Sequence, residues 1–345
     1  MSKSFLNFFD CALKVVSVLF LSASIYGCKI EEIANIEKEE SFTIPIEIQN
    51  SLFNFSKPSI VTDQAILMLP KGYSSKVRTK LVIYCHSGGG GVTSGFVEAL
   101  NSDYCRYLNS LGYAVLDVAG IPETVASLLK IDQYRTVGSK IALDSYFQAY
   151  SYVVKNYNIG KDEVYLLCNS NGSLVGSNLV NLTKIPFKAQ AFVAPLLSIE
   201  RNAWDIRNGA LSGGEFDKLQ TRANIIRLYG MKNVTSLEDL MIAEYEKDKV
   251  GDLDPFNYIM ARKAPRSIPI RIFQAKDDPT ASFKLNAQYV ERFKDFDIDA
   301  EMIAQETGGH TSEPLNYSVG LYLYKNQKYN LTPTVQRVGD FFSSY

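Results

Sequence analysis

Three polar residues, Ser170, Asp278 and His310, each follow an apolar or strand-like segment of the chain. A serine hydroxyl becomes a nucleophile when a histidine takes its proton, and a carboxylate holds that histidine in the right tautomer. The sequence contains two histidines, which leaves few candidates for the base. These residue types indicate nucleophilic catalysis at a carbonyl carbon, provided that the fold brings them together.

Ser170 lies in the segment Cys-Asn-Ser-Asn-Gly, between the apolar run 164–168 and a helical pattern that begins near Ser173. A serine on a sharp strand-to-helix turn exposes its hydroxyl at the end of a sheet, and the strained turn requires small neighbours. Taken alone, the segment favours an ordinary strand-to-helix turn, because such turns with Ser-x-Gly are common.

Four glycines, Gly88 to Gly91, follow His86 and Ser87 directly after the apolar run 81–85. Glycines let a backbone approach a substrate closely, and backbone N–H groups can stabilise the oxyanion of a tetrahedral intermediate. The alternative is a phosphate-binding loop. It is disfavoured because the segment has neither a G-K-[ST] ending nor the G-x-G-x-x-G pattern.

Two adjacent carboxylates, Asp277 and Asp278, compete for the role of the acid, and Pro279 follows them. His310 comes after Gly308 and Gly309. A lone histidine is more often structural than catalytic. That expectation is reversed only by resemblance to a family whose catalytic base lies in such a Gly-His loop.

The order and spacing of these motifs resemble the α/β-hydrolase superfamily, and its esterase- and lipase-like serine hydrolases in particular. That family has a G-x-S-x-G nucleophile elbow, an H-G-G-G oxyanion loop, and the chain order Ser, Asp, His. The resemblance covers roughly residues 60–345. It departs at Cys168 and Ser87, each of which replaces a glycine of the family's motifs, and we expect these departures to affect the turnover rate more than the fold.

The resemblance implies a role for each site residue. Ser170 is the nucleophile, His310 the base and Asp278 the best match to the acid, with Asp277 as its rival. The backbone amides of Asn171 and of Gly88 or Gly89 form the oxyanion hole. His86 and Trp204 are assigned to substrate binding, and no metal or organic cofactor is expected.

Alternating strand-like and helical patterns must position these residues. The apolar runs are typical of strands buried on both faces, and the segment 139–157 has helical spacing. The alternation predicts a mostly parallel α/β sheet with helices on both faces. The strand-like runs are 81–85, 113–118, 164–168, 191–194, 268–274 and 300–304.

One segment, residues 199–264, interrupts the alternation. It contains helical patterns at 215–229 and 236–249 and no convincing strand. We predict a helical lid over the carboxyl edge of the sheet, with Trp204 facing the substrate. The alternative is that its apolar residues form a private helical core.

The amino terminus predicts export. Residues 1–28 resemble a bacterial lipoprotein signal, with an apolar stretch at 15–24 and Gly27 before Cys28, the predicted lipidation site. A simple signal peptide or an uncleaved anchor are the alternatives. We assign 29–45 to a tether, whose charged start resembles Bacteroidetes export tags, and 46–345 to the hydrolase domain. The expected location is the periplasm or the cell surface.

The composition limits the classes of molecule that the protein is expected to bind. The net charge of -1 gives no electrostatic basis for binding nucleic acid. Cys85, Cys105 and Cys168 show no metal spacing and are expected to be buried free thiols.

The sequence leaves three functional hypotheses. The first is an exported serine hydrolase that cleaves a carboxylic ester through an acyl-enzyme, with acylated glycans as the suggested substrates. The second is an amidase or exopeptidase-like hydrolase on the same fold. The third is a non-catalytic, surface-binding lipoprotein. Fold and triad alone do not identify the substrate.

Overall fold

The computed structural model describes residues 38–48, 59–92, 98–207, 211, 219–229, 253–261, 264–311 and 317–345. The strands are β1 (Lys38–Ile48), β2 (Ser59–Leu69), β3 (Thr79–Cys85), β4 (Ala114–Val118), β5 (Ile159–Asn169), β6 (Phe187–Val193), β7 (Ile270–Ala275), β8 (Ala300–Gln305), β9 (Gly320–Tyr324) and β10 (Gln327–Leu331). The helices are α1 (Glu98–Asn101), α2 (Asp103–Ser110), α3 (Glu123–Leu129), α4 (Lys140–Asn156), α5 (Gly172–Leu182), α6 (Ile199–Arg207), α7 (Leu219–Leu228), α8 (Pro255–Met260), α9 (Phe283–Lys294) and α10 (Pro333–Ser343). In these ranges, no helix has the length and apolarity to cross a membrane.

Eight strands form one sheet in the order β1-β2-β4-β3-β5-β6-β7-β8. Strand β2 is antiparallel to both β1 and β4, and the remaining neighbours are parallel. Strands β9 and β10 form a separate antiparallel hairpin. The predicted mostly parallel sheet is therefore confirmed, and the carboxyl ends of its parallel strands lie along one edge.

Hydrophobic clusters cover both faces of the sheet. In β3, Leu81 and Ile83 belong to one cluster of buried residues, whereas Val82 and Tyr84 belong to another. Successive side chains of a strand point to opposite faces, so both faces are buried. This double burial is why the central strands appear in the sequence as continuous apolar runs.

The predicted tether 29–45 is wrong for its last residues, because β1 already begins at Lys38 and pairs with β2 along its whole length. Ile44 and Ile46 of β1 are buried in the core. The period-two alternation of apolar residues there indicates a strand, but the charges that precede it obscured the pattern. The predicted signal segment 1–28, with Cys28, lies outside the described residues and stays a prediction.

The predicted lid segment contains α6, α7 and α8 in its described parts. Ile225, Leu228 and Ile259 lie in the larger core cluster, so these three support the core, contrary to the expectation that the segment would only cover the site. The backbone of Trp204 lies in α6, but its side chain and the helical pattern at 236–249 are outside the described residues. A lid made by the rest of the segment stays a prediction.

Candidate active site

Ser170 lies on the turn between β5 and α5 and has a backbone φ of +48°. Its N–H donates a hydrogen bond to the carbonyl oxygen of Val193, at 3.0 Å. A Cβ on Gly172 would overlap the carbonyl oxygens of Cys85 and His86, so the turn requires glycine at that position. Left-handed backbone in a non-glycine residue is strained, and such strain is typical of a nucleophile elbow.

The three candidate catalytic side chains form one hydrogen-bonded chain. The Oγ of Ser170 lies 2.7 Å from Nε2 of His310. Nδ1 of His310 lies 3.0 Å from both carboxylate oxygens of Asp278. These residues follow β5, β8 and β7, whose parallel carboxyl ends lie at the same edge of the sheet. The structure therefore brings together the residues that the sequence suggested.

The carboxylate of Asp278 accepts hydrogen bonds from several neighbouring groups. The backbone N–H groups of Thr280 and Ala281 donate to its Oδ1 at 2.9 and 3.0 Å, and Gln274 donates to its Oδ2 at 3.0 Å. Burial raises the pKa of this carboxyl, but the hydrogen bond to His310, the charge of His310 and the two backbone amides outweigh it. The pKa of Asp278 is therefore held below its usual range, which keeps an acceptor facing the imidazole.

Asp277, the rival acid, has a different role. Its Oδ1 accepts a hydrogen bond of 2.8 Å from the N–H of Gly309, the residue before His310. Asp277 thus holds the loop that carries the histidine, while Asp278 contacts the imidazole itself. The geometry assigns the acid to Asp278.

A cleft of about 260 Å³ opens at the nucleophile. It is lined by Ser87, Gly88, Gly89, Asn169, Ser170, His310 and Thr311. The glycine loop therefore lies beside the nucleophile, as the resemblance implies. Asn171 stands at the amino terminus of α5, where backbone N–H groups and the helix dipole favour a developing negative charge.

His86 does not line this cleft, and its predicted role in substrate binding is not supported by its position. The side chain is fully buried, and its Nδ1 lies 2.8 Å from Oδ1 of Asp117. Burial lowers the pKa of His86, but the charge of Asp117 and the hydrogen bond to it raise that pKa above its usual value. The imidazole is thus engaged by a buried carboxylate and is not among the residues that line the cleft.

Cys168 replaces the first glycine of the family's elbow, and α5 makes room for it. A Cβ on Gly176 would overlap the sulfur of Cys168 and would lie 3.4 Å from the sulfur of Cys85. A small residue on the helix thus offsets a larger one on the strand. Cys85, Cys105 and Cys168 are buried and free, as predicted.

We expect Gly176→Ala to lower the free energy of unfolding by roughly 1–3 kcal/mol, because the added methyl group overpacks the Cys168 sulfur. Replacing Cys168 by Gly in the same chain should recover most of that loss. Urea unfolding of the two single variants and the double variant measures the coupling. Additive losses would show that the helix does not accommodate this sulfur.

One buried carboxylate near the site was not predicted from the sequence. Glu98 of α1 accepts hydrogen bonds from the hydroxyl of Tyr84 at 2.5 Å, and from the N–H and hydroxyl of Ser87 at 3.0 and 2.6 Å. The available signal was Ser87 itself, a hydrogen-bonding residue where the family has glycine. Among the residues that the structure describes, no group of three or more His, Cys, Asp or Glu side chains is arranged to hold a metal ion.

Comparison with known proteins gives structural neighbours. No family model and no curated protein matches the chain. An acylaminoacyl peptidase from Pyrococcus horikoshii superposes with a TM-score of 0.59 and 11% identity, over 93% of this chain and 43% of that chain. A puromycin-hydrolyzing peptidase from Mycobacterium tuberculosis gives 0.57 and 14%, over 92% and 41%. Dipeptidyl peptidase 4 from Porphyromonas gingivalis gives 0.56 and 13%, over 89% and 35%.

The chain thus spans about two fifths of the length of these solved chains. At such low identity the likeness concerns the fold. The chain's own features point to the same fold: the mostly parallel sheet, the strained serine between β5 and α5, and the acid and histidine after β7 and β8. On these grounds, the chain has the α/β-hydrolase fold.

Proposed function

We propose that the protein is a serine hydrolase that forms an acyl-enzyme on Ser170. The observation that carries this proposal is the hydrogen-bonded chain from Ser170 through His310 to Asp278, set at a cleft beside the glycine loop. A non-catalytic binding protein would have no need to keep three such side chains in register. The assembled geometry therefore favours an enzyme.

In the proposed acyl transfer, each of these groups has a defined role. Nε2 of His310 takes the proton of Ser170 as the oxygen attacks the carbonyl carbon, and later gives it to the leaving group. Asp278 keeps the imidazole in the required tautomer and stabilises its cationic form. The backbone amides of Asn171 and of Gly88 or Gly89 stabilise the oxyanion. Water, activated by the same histidine, then releases the acyl group.

For the bond that is cleaved, we place an amide ahead of a carboxylic ester. The support is that solved proteins of the same fold include an acylaminoacyl peptidase, a puromycin-hydrolyzing peptidase and a dipeptidyl peptidase. An esterase is the second candidate, because the Ser87–Gly91 segment resembles the oxyanion loop of lipases and esterases. Acylated glycans are the substrates that this second candidate suggests.

A matched pair of substrates separates the two candidates. The same acyl group is presented as a p-nitroanilide and as a p-nitrophenyl ester, and Ser170→Ala is the blank. An amidase turns over both compounds in a Ser170-dependent manner, because an enzyme that cleaves the harder amide bond also cleaves an activated ester. Ser170-dependent turnover of esters alone, across acetyl, feruloyl and longer acyl groups, would favour the esterase.

We also propose that the protein is exported and lipid-anchored at Cys28, on the support of the apolar stretch 15–24 and the Gly27–Cys28 pair. Cys28→Ser should then move the protein from the membrane fraction to the soluble fraction, because stable anchoring needs more than one acyl chain and lipidation at Cys28 would supply several. A variant that stays with the membrane would show that the apolar segment is itself the anchor.

A further inference from the structure

Asn169, the residue before the nucleophile, is held by the same buried carboxylate that braces the glycine loop. Its Nδ2 donates a hydrogen bond of 3.2 Å to Oε1 of Glu98. Glu98 is 8% exposed and also accepts hydrogen bonds from Tyr84 and Ser87. The carboxylate therefore receives four donors, from three side chains and one backbone N–H, and two of these residues, Ser87 and Asn169, line the cleft.

This contact fixes which way the amide of Asn169 points. A carboxylate that receives several donors only accepts, so the NH₂ end of Asn169 must face Glu98. The carbonyl oxygen Oδ1 is then turned the other way. Among the residues described, it accepts no hydrogen bond. Asn169 lines the cleft together with Ser170, so an acceptor turned away from Glu98 is available to a molecule bound there.

We propose that Asn169 is a specificity-determining residue whose Oδ1 accepts a hydrogen bond from an N–H in the acyl part of the substrate. Glu98 is the positioning residue that keeps this oxygen turned toward the cleft. The inference rests on the proposed function of Ser170. It identifies the substrate class as aminoacyl or N-acylaminoacyl compounds, which carry an N–H next to the reacting carbonyl, rather than plain acetyl or fatty acyl groups.

The hydrogen-bonding roles of the other polar groups in the cleft also fit an aminoacyl substrate. The hydroxyl of Ser87 donates to Glu98 and accepts a hydrogen bond of 3.4 Å from the N–H of Gly89, so Gly88 is the glycine of this loop better placed to donate to the oxyanion. An acceptor next to Ser170 complements them, because the acyl part of an aminoacyl substrate offers both a carbonyl oxygen and an N–H. Asn169 is half-buried, and a bound substrate would shield its oxygen from water, so a substrate without that N–H would leave the acceptor unpaired and bind less well.

Two activated esters that differ in a single group test the proposal. These are N-acetyl-L-alanine p-nitrophenyl ester and (S)-2-acetoxypropionic acid p-nitrophenyl ester, in which oxygen replaces the N–H. The readout is the ratio of the two kcat/KM values in the full chain, after correction for the alkaline hydrolysis rates. We expect the wild type to favour the N–H ester by about tenfold or more.

Three variants show which residue sets the ratio. Asn169→Leu keeps the number and branching of the side-chain heavy atoms but removes the acceptor, and should bring the ratio close to one. Glu98→Gln should also lower the ratio, because a glutamine amide both donates and accepts and no longer fixes the orientation of Asn169. Asn156→Leu, the same change at an exposed position that does not line the cleft, is the matched control and should keep the wild-type ratio. Asn169→Ala replaces the leucine variant if that one does not fold.

The outcomes separate the two proposals. An unchanged ratio in Asn169→Leu and Asn169→Ala, with Ser170-dependent turnover of both esters, would overturn the assignment of Asn169 and leave the serine hydrolase intact. A Glu98→Gln variant that loses rate on both esters but keeps the ratio would limit Glu98 to bracing the loop. The absence of Ser170-dependent turnover of either ester would overturn the proposed function together with this inference.

Discussion

Ser170→Ala is expected to abolish hydrolysis, with the rate falling on the order of 10⁴- to 10⁶-fold. The hydroxyl forms the covalent bond to the substrate, and its removal leaves His310 without a proton to take. The melting temperature should change little, because only one oxygen is lost at the border of the cleft. Initial rates on the ester and anilide pair, with thermal unfolding, measure both effects.

Ser173→Ala is the matched control for this variant. Ser173 lies near the start of α5, and its buried hydroxyl has no hydrogen-bond partner among the described residues. The same chemical change at that position should leave the rate within a few-fold of wild type. A folded Ser170→Ala protein that retains full activity would show that another residue is the nucleophile.

Asp278→Asn is expected to lower kcat by roughly 10⁴-fold, because an amide facing Nδ1 of His310 favours the wrong tautomer. Asp277→Asn should lower kcat far less, since an asparagine oxygen can still accept the hydrogen bond from Gly309. The two substitutions are chemically identical and adjacent, so each is the other's control. The opposite ranking would transfer the acid to Asp277 and leave the fold assignment unchanged.

The fold and the triad could be predicted because their signals are local in the sequence. A strand buried on both faces shows as a continuous apolar run, and each catalytic residue directly follows such a segment. Once the strands are parallel, their carboxyl ends meet at one edge of the sheet. The order of Ser170, Asp278 and His310 along the chain was then enough to expect them together.

The interactions that tune the site could not be predicted, because they join residues far apart in the chain. Glu98 meets Asn169 across 71 positions, and nothing near either residue marks the contact. Likewise, His86 contacts the buried carboxylate of Asp117, which is 31 positions away in the chain. Without that contact, a histidine next to a glycine loop was interpreted as a substrate-binding residue.

The packing around Cys168 shows the same limit. Cys168 stands where the family's motif has glycine, so in the sequence its side chain departs from the pattern, and the compensating Gly176 looks like any other small residue of a helix. Only the packing of α5 on β5 joins the two. For β1, the charged residues at its start led to the prediction of a tether. They obscured the alternation of apolar residues along the strand, which pairs with β2 over its whole length.

Covalent labelling with a fluorophosphonate, followed by intact mass and peptide mapping, tests the central claim most directly. We predict a single adduct, located on Ser170, in the wild-type protein. Ser170→Ala should show no adduct, and His310→Ala should react far more slowly, because the hydroxyl then lacks its base. A wild-type protein that stays unlabelled, or an adduct on another residue, would contradict the assignment of Ser170 as an activated nucleophile.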